Sequence, residues 1–140
     1  MSVRVVDRNL SKMEYIHNAQ QIVFILTERI NKYVNLAVAK KKNRQFVKET
    51  LKPVWKSPIY HAQLVYKYCE LAYMKRRTNT GLGYLDNASQ NLILLESSLE
   101  TFYKSFRPVI KDKFIILITE KIDKEKKLIK GVRNVSCQHA

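Results

Sequence analysis

The sequence predicts an all-α domain, an antiparallel up-down-up-down bundle of four helices. Four segments carry apolar residues at alternating steps of three and four, the spacing that keeps one stripe on one side of an α-helix. No pair of strand patterns accompanies them, and short connections make neighbouring helices antiparallel. The 140 residues, of which 46% are hydrophobic, suit a single domain with a core of ordinary size. We expect flexible ends at about residues 1–10 and 133–140.

Helix 1 is predicted for residues of about 12 to 40. Ser11 and Glu14 form a Ser-x-x-Glu capping box, which would satisfy free backbone amides at the start of this helix. The apolar arc is wider than a two-stranded coiled coil would use, so we expect this helix to be covered on two sides. Its stripe consists of Ile16, Ala19, Val23, Leu26, Ile30, Tyr33 and Ala37.

The segment from Lys40 to Lys56 is predicted to connect helix 1 with helix 2. Its apolar periodicity decays apart from a short helical stretch, and Pro53 lacks the amide that a helix interior needs. Ser57 and Pro58 then supply an N-cap and a proline at the first helical position. Helix 2 should therefore extend from this point to about Arg76. Its stripe consists of Ala62, Val65, Cys69 and Ala72.

Helices 3 and 4 complete the predicted bundle. The segment 78–83 holds two of the three glycines and should break helix 2, while Arg107 and Pro108 should end helix 3. Helix 4 is predicted from about Val109 to Gly131, with a stripe that Glu125 interrupts. The stripe of helix 3 is Leu85, Ala88, Leu92, Leu95, Leu99, Phe102 and Phe106, and that of helix 4 is Ile115, Ile118, Ile122, Ile129 and Val132.

The charge of the chain indicates a polyanionic partner. Its 26 Lys and Arg against 12 Asp and Glu give a formal net charge of +14, more than the solubility of a small domain requires. A membrane surface is the competing polyanion, but the sequence has no run of about 18 apolar residues and no apolar signal-peptide core at its start. We therefore expect a cytoplasmic protein that binds RNA or DNA with little sequence specificity.

The basic residues concentrate in the connections, and in an up-down-up-down bundle the first and third connections lie at the same end. Solvated helix faces could explain any single charge run, but not this concentration. The acids near that end are Glu49 and Asp112, whereas Asp123 and Glu125 dilute the charge of the opposite end. The candidate nucleic-acid-binding residues of the first end are Lys40, Lys41, Lys42, Arg44, Lys48, Lys104, Arg107, Lys111 and Lys113, with Lys52 and Lys56 in the same connection. At the opposite end the candidates are Lys75, Arg76 and Arg77.

Four tyrosines interleave with lysines along helix 2, a composition that can stack the bases of a single strand. Their spacing is more typical of the margins of a core, and we interpret them in that way. They are Tyr60, Tyr66, Tyr68 and Tyr73.

No residue pattern indicates an enzyme, a cofactor or a metal site. Most carboxylates have a lysine as neighbour, which is typical of local charge pairs and not of a catalytic dyad. Gly81 and Gly83 lack the strand and the lysine of a phosphate-binding loop. The two cysteines and three histidines do not have zinc-ligand spacing, and we expect the histidines to lie on the surface or at helix margins.

The junction of helices 2 and 3 carries a family resemblance. Leu71-Ala72-Tyr73-Met74-Lys75-Arg76-Arg77 is followed by Tyr84-Leu85-Asp86-Asn87-Ala88 and by Leu92, Leu95 and Leu99. This resembles the four-helix-bundle family of Avd, the accessory variability determinant of diversity-generating retroelements, and of proteins encoded in intervening sequences of bacterial ribosomal RNA genes. The resemblance extends in helix order and length from about Met13 to Gly131.

The resemblance implies a small basic bundle that forms a ring-like homo-oligomer, such as a pentamer, binds a reverse transcriptase and contacts its RNA or DNA. Lys75, Arg76 and Arg77 occupy the matching basic junction. The chain departs from the Gly-Trp pair near the end of the family's last helix, since it has Gly131-Val132 there and its single tryptophan is Trp55. Two alternatives stay open: a protein-protein adaptor with an acidic partner, and a stand-alone RNA-binding bundle.

Overall fold

The computed structural model describes the backbone of residues 2–40, 42–107 and 109–138, and the side chains of residues 14–40, 42–107 and 109–134. Within these ranges the chain forms four α-helices and no strand. This confirms the prediction of an all-α four-helix bundle. The helices are α1 (Ser2–Ala39), α2 (Arg44–Met74), α3 (Asn79–Phe106) and α4 (Asp112–Gln138).

The apolar stripes form the core. Every predicted stripe residue of α2 and α3 is buried, because a stripe with helical spacing can turn one whole side of the helix away from water. On α1 and α4 most central residues of each stripe are buried, for example Leu26, Ile30 and Ile118, whereas Val23 and the ends of the stripes are half-buried. The core is continuous across all four helices.

The outer helices are longer than predicted. α1 begins at Ser2 and not near residue 12, so the capping box at Ser11 lies inside it. No glycine or proline interrupts this helix, and a capping motif stabilises an end without forcing one. α4 continues through Gly131 to Gln138, because a helical glycine costs only about 1 kcal/mol relative to alanine. Residues 139 and 140 of the predicted tail lie outside the described residues.

α2 is one continuous helix from Arg44 to Met74, with Pro53 and Pro58 inside it. The connection between α1 and α2 therefore ends before Arg44, and the predictions that it extends to Lys56 and that Ser57 caps the helix were wrong. An interior proline costs about 3 kcal/mol, since it removes a hydrogen bond and crowds the preceding turn. Burial offsets this cost: Trp55 is 6% exposed and packs edge-on against Phe106, with 6.4 Å between the ring centroids.

Pairwise contacts place the helices around the core. α2 packs mainly against α3 and α1, and α4 packs against α1 and α3, whereas α1 and α3 barely touch. On α1 and α4, Tyr33 contacts Phe114 and Asn18 contacts Glu125. On α2 and α3, Tyr68 stacks on Tyr84, with 6.1 Å between the ring centroids. The helices therefore surround the core in chain order.

The turn between α2 and α3 depends on a close backbone approach. Thr78 is the N-cap of α3, and its hydroxyl accepts a hydrogen bond from the Gly81 amide at 3.4 Å. Gly81 is buried, and a Cβ at this position would lie 2.3 Å from the carbonyl oxygen of Lys75. Only a glycine fits there without a shift of the backbone.

Candidate nucleic-acid interface

A groove brings the first and third connections together. It has a volume of about 500 Å³ and lies between the end of α1, the start of α2 and the segment that follows α3. Lys40 and Arg107, which are far apart in sequence, both line it. Most of the other lining residues are apolar: Ala37, Val38, Phe46, Val47, Leu51, Phe106 and Val109.

The other described candidates of the two connections are exposed and lie in these connections or in the adjoining helical turns. Lys42 lies between α1 and α2, Lys111 lies just before α4, and Lys113 lies in the first turn of α4. Lys104, in the last turn of α3, forms an exposed ion pair with Glu100 at 3.2 Å. We define the groove end as Lys40, Lys42, Lys104, Arg107, Lys111 and Lys113. Lys41 lies outside the described residues.

The start of α2 carries a row of basic residues. The sequence predicted these residues as basic but not their arrangement in a row, because the segment was predicted to be a connection. Arg44, Lys48, Lys52 and Lys56 recur every four residues on α2 and all four are exposed. Residues four apart in a helix are neighbours on adjacent turns, and each step rises about 6 Å. We call these four residues the α2 row. The signal was present as a spacing of four, but it has meaning only if the segment is helical.

The junction residues Lys75, Arg76 and Arg77 are exposed between α2 and α3. The guanidinium of Arg76 lies 4.5 Å from the centroid of the Tyr73 ring and donates a hydrogen bond to the Tyr73 carbonyl at 3.0 Å. A helix with the length of α2 spans about 45 Å. The structure therefore does not bring the junction together with the groove end, and the two are separate surfaces.

Glu125 is fully buried, so the sequence interpretation that it dilutes surface charge was wrong. One of its oxygens accepts a hydrogen bond from the Asn18 amide at 3.2 Å, and the other accepts one from the Cys69 thiol at 3.4 Å. Burial raises the pKa of Glu125 to about 7, although the hydrogen bonds from Asn18 and Cys69 oppose the shift. The interruption of the apolar stripe at position 125 was the sequence signal for a buried polar residue.

The surroundings of Glu125 are a polar part of the core. Burial raises the pKa of the Cys69 thiol well above its usual value, so the thiol stays protonated and is a poor nucleophile at neutral pH. Tyr15, whose pKa burial also raises, donates a hydrogen bond to the Cys69 carbonyl at 3.4 Å. Throughout the described residues, no group of three or more His, Cys, Asp or Glu side chains could hold a metal ion.

The described histidines agree with the predictions, whereas the α2 tyrosines agree only in part. His17 is exposed and His61 is half-buried, with its Nδ1 3.3 Å from the Asn91 side-chain oxygen. His139 lies outside the described residues. Tyr66 and Tyr68 are half-buried margins of the core, as predicted. Tyr60 is 56% exposed and Tyr73 is 37% exposed, so the prediction was wrong for these two residues.

Fold and surface together define a basic all-α four-helix bundle. In the described part of the chain, no helix is both long enough and apolar enough to span a membrane. Comparison of the chain with protein-family models, with curated proteins and with solved structures found no match.

Proposed function

We propose that this protein is a non-enzymatic accessory protein that binds RNA or DNA through the groove end and assists a reverse transcriptase. The groove carries this proposal, since Lys40 and Arg107 both line it and further exposed cations lie in the two connections that it joins. Clustered like charges repel one another and destabilise a fold, and bound phosphates relieve that repulsion. Lysine and arginine contacts to phosphates supply affinity without base specificity.

We infer that the helices run up-down-up-down, with neighbours antiparallel. In support, the contacts between α1 and α4 join Asn18 to Glu125 and Tyr33 to Phe114, so residue numbers rise along one helix as they fall along the other. The pairs Trp55–Phe106 and Tyr68–Tyr84 follow the same rule on α2 and α3. This arrangement places the first and third connections at one end.

The family resemblance at residues 71–77 is the reason for proposing a reverse transcriptase as the partner. Lys75, Arg76 and Arg77 are exposed, and the neighbouring Met74 is 70% exposed. An exposed apolar side chain beside cations is suited to a protein contact. We propose that this junction contacts the enzyme while the groove end holds its nucleic acid.

Neutralisation of the groove end should weaken binding and flatten its salt dependence. The triple variant Lys40→Gln, Arg107→Gln and Lys111→Gln should reduce the slope of log K against log salt by about 2 for a single strand, at about 0.7 for each lost phosphate contact. Fluorescence anisotropy with labelled RNA and DNA at several salt concentrations measures the slope. The control variant removes the same charge from exposed positions elsewhere: Lys67, Lys127 and Lys130.

Two results would contradict the proposal. One is an absence of binding to RNA and DNA at low salt by the unaltered protein. The other is an equal loss of affinity in the groove variant and in the control, which would mean that net charge alone attracts the nucleic acid.

We also propose that the chain forms a homo-oligomer through apolar residues that α1 and α4 leave exposed. Phe24 is 67% exposed and Ile116 is 58% exposed. The expected result of multi-angle light scattering is a mass that is a multiple of the 16.5 kDa chain. The double variant Phe24→Lys and Ile116→Lys should lower that mass, because a buried unpaired charge opposes association. A monomer at all working concentrations would contradict this proposal.

An adaptor function for an acidic protein partner is the second candidate. The apolar lining of the groove favours it, since an amphipathic acidic segment could place apolar residues in the groove and carboxylates against Lys40 and Arg107. Co-purification after nuclease treatment separates the candidates. A retained acidic protein without nucleic acid supports the adaptor, and a retained reverse transcriptase supports the accessory function. Retained RNA without the enzyme supports a stand-alone RNA-binding bundle.

A further inference from the structure

The α2 row is an array of cations that winds around the helix, since each step of four residues turns about 40° about the helix axis. The row residues Arg44, Lys48, Lys52 and Lys56 form no ion pair with any other described side chain. By contrast, Lys104, Lys126 and Arg133 pair with Glu100, Glu96 and Asp86 respectively. The acid closest in sequence to the row, Glu49, accepts a hydrogen bond from Gln45 at 3.0 Å.

The stability of α2 does not explain the row. The positive end of the helix dipole lies at the N-terminus, where cations are unfavourable and acids are favourable. The first turn of α2 contains Arg44 and no acidic residue. Lys48 follows one turn later, so the row begins where it costs helix stability. A ligand that carries negative charges in a line removes this cost.

The next step of four along the row reaches Tyr60. Its side chain is 56% exposed, although most large apolar side chains of α2 pack inward. Its ring makes a T-shaped contact with the neighbouring His61, with 5.4 Å between the centroids. An exposed aromatic ring one turn beyond Lys56, the last cation of the row, is suited to stack on an unpaired base.

We propose that the α2 row binds the backbone of single-stranded nucleic acid and that Tyr60 stacks on one of its bases. From Arg44 to Lys56 the row rises about 18 Å, and this length follows a strand over several phosphates. A duplex can use the cations but keeps its bases stacked inside, so it gains nothing from Tyr60. This inference rests on the proposed function, because it names the class of nucleic acid that the same end of the protein binds.

Anisotropy with a labelled 20-nucleotide poly-dT strand, a poly-U strand and a 20-base-pair duplex tests the inference on the full chain. The row variant Lys48→Gln, Lys52→Gln and Lys56→Gln should lose about tenfold or more in affinity for both single strands. The control is again neutralisation of three exposed lysines outside the row and the groove end, which should change the affinity by less. They are Lys67, Lys127 and Lys130.

Two substitutions of Tyr60 separate stacking from apolar contact. Tyr60→Phe keeps the aromatic face and should keep single-strand affinity, whereas Tyr60→Leu should lose about tenfold, since leucine has no aromatic face on which a base can stack. Neither should alter binding of the duplex. Circular dichroism and thermal unfolding establish that each variant is folded, which we expect at exposed positions.

The outcomes distinguish this inference from the proposed function. If the unaltered protein binds no nucleic acid, both fail. The inference alone is overturned, and the proposed function stands, if the duplex binds as tightly as the single strands. It is overturned in the same way if the row variant matches its control, or if Tyr60→Leu binds poly-dT and poly-U like Tyr60→Phe.

Discussion

As the pH rises from about 4 to about 8, titration of the Glu125 carboxyl should lower the free energy of unfolding by about 3 kcal/mol. This follows from about 1.4 kcal/mol for each unit of difference between its folded and unfolded pKa. Burial raises its pKa to about 7 in the folded protein, against an ordinary value of 4.5. Between these two values the folded state holds a proton that the unfolded state has released. The contribution of Glu125 to stability is therefore greatest in acid and is lost as the pH rises through about 7.

Urea unfolding followed by circular dichroism at several pH values measures this effect in the wild type and in Glu125→Gln. The amide keeps the size of the side chain and an acceptor for Asn18, but it does not titrate. We expect the difference in stability between the two proteins to change by about 3 kcal/mol across the pH range. Glu120→Gln, at an exposed position on the same helix, should retain the wild-type dependence. An unchanged pH dependence in Glu125→Gln would refute the prediction.

Gly81→Ala should destabilise the protein by about 1–3 kcal/mol, the usual cost of forcing extra atoms into a packed site. The new methyl group would lie 2.3 Å from the Lys75 carbonyl oxygen and 3.3 Å from the Ala72 carbonyl oxygen. Both are backbone atoms, and the Lys75 amide is itself held by a hydrogen bond to the Leu71 carbonyl at 3.0 Å. Relief therefore requires the ends of α2 and α3 to separate, which would also displace the junction cations. Thermal unfolding measures the loss.

Gly83 and Gly131 are the matched controls for this substitution. Both lie within helices, and a Cβ at either position would have no neighbouring atom within 4 Å. Alanine should therefore stabilise each helix by about 0.5–1 kcal/mol, because glycine has the greater conformational entropy to lose. Equal effects at positions 81 and 83 would mean that the close approach of α2 and α3 does not constrain the fold.

Local spacing was sufficient to predict much of the molecule. The stripe from Leu85 to Phe106 is buried throughout, because the period of a helix is a property of the chain and does not depend on its neighbours. The sequence also predicted the basic composition of the groove end, since charged side chains in connections stay in water. It did not predict the α2 row, because these residues form a row only when residues 44–56 are helical.

By itself the sequence determined the number of helices, the side of each that faces the core, and the excess of positive charge. The tertiary structure alone decided that α2 continues through Pro53 and Pro58 and that Glu125 is buried. The physical reason is the same in both cases. A proline inside a helix and a carboxyl in a core each carry a local cost, and the groups that offset it are distant in sequence. Phe106 packs on Trp55 beside the prolines, and Asn18 donates to Glu125 across 107 residues of sequence.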